Sequence, residues 1–158
     1  MTNSAQYDPV LSMTTPVGQI TLAEKLGAIS TLQWGERPGS TSTPLLVEAR
    51  RQLNAYFEGR LSEFDLPLAP DGTDFHLAVY DAMLDIPYGQ TRTYGQIAAD
   101  LDTYGQPIGQ ACGANPIPII IPCHRVLAAD GLGGYSGRGG VDTKITLLKL
   151  EGGYPFLL

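Results

Sequence analysis

The sequence predicts an α+β fold in two parts. Three observations point to it: apolar and polar residues alternate near the start, apolar residues then recur at helical spacing, and a proline-rich break separates the halves. Residues 1–68 read as a small N-terminal αβ domain with an antiparallel sheet, and residues 69–158 as a mainly helical C-terminal domain. A chain of 158 residues can hold one sizeable core or two small ones, and 43% hydrophobic with 16% charged residues is ordinary for a globular protein.

Gln19-Ile20-Thr21-Leu22-Ala23 and the run from Ala28 to Trp34 alternate as half-buried strands, with the polar stretch from Glu24 to Gly27 as the hairpin turn. Gly35 to Thr43 is rich in Gly, Pro, Ser and Thr and reads as loop, and Pro44 suits the first turn of a helix. In that helix Leu45, Leu46, Ala49, Leu53, Tyr56 and Phe57 share one face, and Gly59 stops it. Leu66-Pro67-Leu68-Ala69-Pro70-Asp71-Gly72 has linker composition and marks the boundary. Beyond it, Thr73 or Asp74 caps a helix with Phe75, Ala78, Val79, Ala82 and Met83 inward, ended by Pro87. Thr93 and Gln96 form a capping box opening a short helix with Ile97, Ala98 and Leu101 inward. After Tyr104-Gly105 turns the chain, Pro107 starts a second short helix through Ile108, Ala111 and Cys112. Two short helices across a glycine turn make a helix-turn-helix candidate. A last helix runs over Val141–Leu150, just before Gly152.

The chemistry concentrates at Pro122-Cys123-His124-Arg125-Val126, behind Asn115-Pro116-Ile117-Pro118-Ile119-Ile120-Ile121. A thiol needs a neighbouring base or positive charge to ionise at neutral pH, and His124 and Arg125 are candidates of both kinds. The run resembles the active-site segment of the O6-alkylguanine-DNA alkyltransferases, with its asparagine hinge, Pro-x-Pro, aliphatic run and Pro-Cys-His-Arg-Val. The resemblance extends forward through Gly133-Gly134-Tyr135-Ser136-Gly137, Lys144, Leu147-Leu148 and Glu151-Gly152. Backward it takes in Phe75, Ile86-Pro87-Tyr88-Gly89 and Tyr94-Gly95-Gln96-Ile97-Ala98. The first half matches more loosely, at Thr15-Pro16-Val17-Gly18, Gln52-Leu53, Tyr56-Phe57 and Gly59-Arg60.

That resemblance implies a winged helix-turn-helix-like second domain. It also implies irreversible, single-turnover transfer of an alkyl group from O6 of guanine in DNA, or from O4 of thymine, to Cys123. Such a displacement needs a thiolate, an in-line approach and a proton donor to the departing base. On the family pattern, His124 is the base, acting directly or through one water, and Glu151 orients it and stabilises the imidazolium. Glu151 also has an argument of its own. A carboxylate at a helix C-terminus is disfavoured by the dipole, so a partner should hold it there.

The remaining roles are implied by the same match. Tyr94 lies at the target nucleotide and donates a proton to the base, while Tyr135 and Ser136 belong to the glycine-rich loop over the extruded base. A phosphate cradle is the rival meaning of that loop, but no Gly-Lys-Ser/Thr follows. Asn115 fixes the turn from the recognition helix to the active-site strand, and Lys144 steadies the Asn115 side of the site. Arg125 is an ion-pair donor or a substrate contact, and Cys112 a small buried residue. The thiol of Cys123 is expected to sit ionised at the floor of the pocket.

One family feature is missing. The recognition-helix arginine that fills the space left by the flipped nucleotide falls at Gln106, with Tyr104 as a second candidate wedge in a shortened loop. The chain has ten basic and sixteen acidic residues, net −6, an unusual balance for a partner of a polyanion. The excess belongs to residues 1–85, because residues 86–158 carry five of each sign. Weak binding to alkylated double-stranded DNA, by a monomer or with help from a repair partner protein, is therefore expected.

Two cysteines eleven apart and two scattered histidines, His76 and His124, make neither a disulfide framework nor a metal ligand set. No cofactor and no metal is expected. No apolar stretch approaches the ~20 residues of a membrane span, and Met1-Thr2-Asn3-Ser4 lacks the features of a signal peptide. These point to a cytoplasmic, reducing setting without a membrane. Two other functions stay open: a module that recognises alkylated DNA and recruits repair enzymes, and a Cys-His-Glu thiol hydrolase.

Overall fold

A computed structural model describes residues 8–39 and 41–153, so the Met1-Thr2-Asn3-Ser4 start and Ser40 of the predicted loop lie outside the described residues. The chain divides into two compact units, Met1–Pro70 and Asp71–Leu158.

The first unit is a three-stranded antiparallel sheet, β1 (Val10–Thr15), β2 (Gly18–Lys25) and β3 (Ala28–Trp34), in the order β1-β2-β3, with helix α1 (Pro44–Phe57) following. Strand β1 is an addition to the sequence reading. Leu11, Met13 and Thr15 turn inward, and the Ser12 and Thr21 hydroxyls bond across strands at 2.8 Å. The hairpin turn is also tighter than expected. Lys25 pairs with Ala28, so only Leu26 and Gly27 turn, both at positive φ as such two-residue turns require. Thr43 caps α1 by accepting from the Leu46 amide, and Pro44 takes the first helical position, where no amide is needed.

Gln52 is buried on α1 among apolar neighbours and grips the backbone of Asp65 through both ends of its amide, at 2.8 and 3.0 Å. The chain thereby returns toward the sheet. Pro67 and Ala69, which read as linker by composition, bond to both backbone groups of Ile29 at 2.8 Å. Proline content here reflects an edge that needs few donors.

In the second unit, α2 (Asp74–Leu84) is capped by Thr73 and stops two residues before Ile86-Pro87. Its buried residues are Val79, Tyr80 and Met83, while Phe75, Ala78 and Ala82 are only half-buried. Next come β4 (Arg92–Thr93), α3 (Tyr94–Asp100) and α4 (Gly105–Gly113). Thr93 and Gln96 form the capping box in both directions. Helix α4 begins two residues earlier than Pro107 suggests. The proline sits in the first turn, where amides have no helical partner, so it is tolerated there.

The aliphatic run before Cys123 is not a strand. Residues Cys123–Arg125 form one 3₁₀ turn, and β5 (Val126–Leu127) then pairs in parallel with β4. Helix α5 (Val141–Glu151) closes the unit, with Gly152 in the left-handed conformation after it. No helix among the described residues is long and apolar enough to cross a membrane.

Candidate active site

Asn115 builds the approach to the thiol. Its side-chain NH₂ donates to the Ile121 carbonyl at 2.9 Å and its oxygen accepts from the Ile117 amide at 3.0 Å, so one residue clamps both ends of the Pro116–Ile120 turn. Inside that turn the buried Ile119 is held at φ 74, a backbone region that β-branched residues avoid at a cost of about 1–3 kcal/mol. The strain is spent on presenting Cys123 rather than on continuing a strand.

A 3₁₀ turn has about three residues per turn, so successive side chains fan out roughly 120° apart. The thiol therefore faces a different environment from its two neighbours. Cys123, only 6% exposed, lines a cavity of about 300 Å³ together with Tyr94, Gly109, Cys112, Gly113, Gly134, Tyr135 and Ser136. His124 and Arg125 turn toward the end of α5. His124 Nε2 lies 2.7 Å from Glu151 Oε2, while Arg125 donates from Nε to Oε1 at 2.8 Å and from a terminal nitrogen to Oε2 at 3.0 Å.

The other terminal nitrogen of Arg125 donates to the Ile86 carbonyl at 2.6 Å. Arg125 is thus the ion-pair donor, an internal tie between the 3₁₀ turn, the end of α5 and Ile86. Its ion pair with Glu151 also supplies the partner that a carboxylate at a helix C-terminus requires. The Ile86-Pro87-Tyr88-Gly89 turn belongs to the same assembly. Tyr88 donates to the Leu150 carbonyl at 3.2 Å, and a side chain on Gly153 would lie 2.9 Å from the Gly89 backbone.

Electrostatics correct one expectation. Burial pushes the Cys123 thiol up, against an Asn115 hydrogen bond and the Lys144 charge that pull it down, so sulfur rests as thiol rather than thiolate. Burial likewise lowers His124 below its ordinary 6.5, with Glu151 opposing, and leaves the imidazole neutral at pH 7. Burial raises Tyr94 to about 12, so its phenol stays protonated.

Lys144 does not steady the Asn115 side. Fully buried, it donates to the carbonyls of Val126 at 2.7 Å, Leu132 at 2.6 Å and Gly134 at 3.0 Å, and its ammonium lies 5.9 Å from the Tyr94 ring centroid. It ties α5 to the base of the glycine-rich loop, and burial lowers its pKa to about 8. That loop must also approach Tyr94 closely. A Cβ on Gly133, at φ 72, would lie 3.0 Å from the Tyr94 ring. Lys144→Met is expected to cost about 2–3 kcal/mol in chemical denaturation, because three buried carbonyls lose their donor while the aliphatic stem is kept.

Of the other expected site residues, Tyr135 is half-buried in the cavity wall, Ser136 is exposed at its rim, and Gln106 is exposed in the first turn of α4. Sequence reasoning missed the wall that α4 supplies. Gly109, Cys112 and Gly113 fall at i, i+3 and i+4, a spacing that was legible, but small residues there suggest packing as readily as a cavity. Cys112 packs its sulfur 3.6 Å from that of Met83, and burial raises its pKa to about 12, which leaves it an inert thiol. Among the described residues no group of three or more His, Cys, Asp or Glu side chains is placed to hold a metal.

Comparison with known proteins finds matches over both units. Residues 74–153 match the DNA binding domain of 6-O-methylguanine DNA methyltransferase, and residues 11–70 match its ribonuclease-like domain. A methylated-DNA–protein-cysteine methyltransferase of Methanosarcina acetivorans is 53% identical over 108 residues, covering 66% of this chain and 68% of the relative. One from Mycobacterium bovis is 43% identical over 152 residues, covering 87% of this chain and 88% of the relative. A crystal structure of Mycobacterium tuberculosis OGT in complex with DNA superposes with a TM-score of 0.82 at 43% identity, covering 90% of this chain and 92% of that one.

Proposed function

The chain belongs to the 6-O-methylguanine DNA methyltransferase family, and from that premise we propose that Cys123 is the alkyl acceptor, His124 its base and Glu151 the carboxylate that steadies the imidazole. The activity is DNA repair by direct transfer of an alkyl group from O6-alkylguanine to the protein itself, each molecule acting once.

The observation that carries the residue assignment is one nitrogen. Two Arg125 donors hold Glu151 as an acceptor, so the neutral imidazole must carry its proton on Nε2 to bond that carboxylate. Nδ1 then presents a lone pair, and it is buried without a partner among the described residues. A buried polar atom in that condition is costly unless a water or a reacting proton uses it. One water between Sγ and Nδ1 would complete the path.

The reaction then balances as follows. The Cys123 proton passes to His124 Nδ1 as the sulfur attacks the alkyl carbon in line with the carbon–O6 bond. That bond breaks, its electron pair goes to O6, and the departing guanine takes a proton from the Tyr94 phenol, later replaced from solvent. Glu151 stabilises the imidazolium as it forms. Tyr135 and Ser136 close on the base from the cavity wall and rim, and Gln106 meets DNA from the first turn of α4. Because the thiol is neutral at rest, reaction with solvent electrophiles is suppressed until an extruded base fills the cavity.

A monomer suffices for this chemistry, since thiol, imidazole, carboxylate and cavity all come from the second unit of one chain. Two cysteines that form no disulfide fit a reducing, cytoplasmic setting. The test is the mass of the Cys123 peptide after incubation with an oligonucleotide containing O6-methylguanine. One added methyl, with no more than one per molecule, is expected. Binding without adduct would make the chain a recogniser of damage, and repeated turnover on small esters would make it a hydrolase.

A further inference from the structure

We propose that Tyr104 enters the base stack and fills the space left by the extruded nucleotide. The inference rests on the reading of Cys123 as acceptor for a flipped base, and it identifies the residue that does the work of the missing arginine.

Among the described residues, the large apolar side chains most open to solvent are Leu26, Val47, Leu84, Tyr104 and Val141, and of these only Tyr104 is aromatic. The residue is 66% exposed, in a chain whose Tyr56 and Tyr80 are fully buried. Local stability does not explain a tyrosine there. Tyr104 is the N-cap of α4, a position that favours Ser, Thr, Asp or Asn, and it makes no side-chain cap bond. A residue that breaks a local rule without a packing gain is a candidate for function.

The ring is presented from a rigid base. Leu101 ends α3, Asp102 turns the chain at φ 55, and the Thr103 amide is tied to the Ala98 carbonyl at 2.9 Å. Its position relative to the cavity is also defined. The next residue, Gly105, approaches so closely that a Cβ there would lie 3.8 Å from the Cβ of Tyr94. Tyr94 lines the cavity that holds Cys123, and the far end of α4 lines the same cavity through Gly109, Cys112 and Gly113. Tyr104 therefore precedes a residue that abuts Tyr94, at the start of the helix whose far end lines the cavity that the extruded base must enter.

Chemistry favours the ring over its neighbour Gln106. An amide can bond the orphaned partner base, but it cannot replace lost stacking, whereas an aromatic face stacks on any base. It also needs no positive charge, which suits a helix carrying none.

The experiment compares alkyl transfer to Cys123 from duplex containing O6-methylguanine with transfer from free O6-benzylguanine, which needs no extrusion. The ratio of duplex rate to free-base rate is expected to fall about ten- to a hundredfold in Tyr104→Ala and to be restored in Tyr104→Phe. A variant that merely misfolds lowers both rates and leaves the ratio in place. An unchanged ratio in Tyr104→Ala, or a fall in Gln106→Ala instead, would overturn the proposal while leaving Cys123 as acceptor. Absence of any adduct on the wild-type protein, from either donor, would overturn both.

Discussion

Cys123→Ser is expected to abolish alkyl transfer, by a factor on the order of 10⁴ or more, while leaving the fold and the binding of alkylated duplex in place. The two side chains differ by one atom, and the site supplies the hydroxyl with the same Asn115 neighbour that the thiol has. What the variant lacks is an atom that can be deprotonated at this depth. Burial raises the thiol and lowers His124, so proton transfer between them is already uphill, and a hydroxyl several powers of ten less acidic puts it out of reach. Sulfur is also the better nucleophile toward saturated carbon, where a soft, polarizable atom is favoured. Three measurements check the argument together: adduct formation by mass, duplex affinity by fluorescence anisotropy, and thermal unfolding. Loss of transfer with a melting temperature within a few degrees of wild type is the expected set. Retention of methyl transfer by the serine variant would show that another group accepts the alkyl.

Why some of this site was legible in sequence, and some not, follows from the range of the forces involved. Thr93 and Gln96 announce a helix start because a capping box is settled within four residues. Cys123 and His124 announce chemistry because adjacent groups must interact in almost any fold. Direction is another matter. Arg125 looks like a positive charge beside a thiol, yet the 3₁₀ turn rotates it away and gives it to Glu151 and Ile86, residues distant in the chain. Lys144 has the same history, with its three carbonyl partners lying 10 to 18 positions away.

Gln52 and Tyr80 show the limit more sharply. Each is buried where local pattern does not announce it: Gln52 holds the returning backbone at Asp65, and Tyr80 lies close enough to the two cysteines to feel their charge. The run from Ile117 to Ile121 failed for a different reason. Its composition is that of a strand, but Asn115 bonds both ends of the turn and overrides the preference of the isoleucines, at the expense of a strained Ile119. Propensity yields where a functional side chain must be aimed.

Glu151→Ala is expected to be the most destabilising single change in the second unit, by about 3–5 kcal/mol, because it leaves the buried guanidinium of Arg125 without a counter-charge. Both partners are nearly inaccessible, at 7% for Arg125 and 6% for Glu151, so water cannot replace the carboxylate. With a protein of ordinary stability, about 5–15 kcal/mol, such a loss brings unfolding close to working temperature. Glu151→Gln separates structure from chemistry. Its amide oxygen can still accept one bond, so less stability is lost. The imidazolium formed when His124 takes the thiol proton has no carboxylate beside it, and transfer should slow by about 10²–10⁴. The pH dependence has a definite sign. Because burial holds folded His124 below 6.5, the unfolded chain binds the extra proton first, so its contribution to stability is full above pH 6.5 and is lost as pH falls toward the folded pKa. Glu151 opposes that depression, so Glu151→Gln should lower the folded pKa further and extend the acid loss to lower pH. Urea unfolding at pH 7.5 and across the acid range, beside single-turnover rates, tests each part. A Glu151→Ala protein that unfolds and transfers like wild type would remove the carboxylate from both roles.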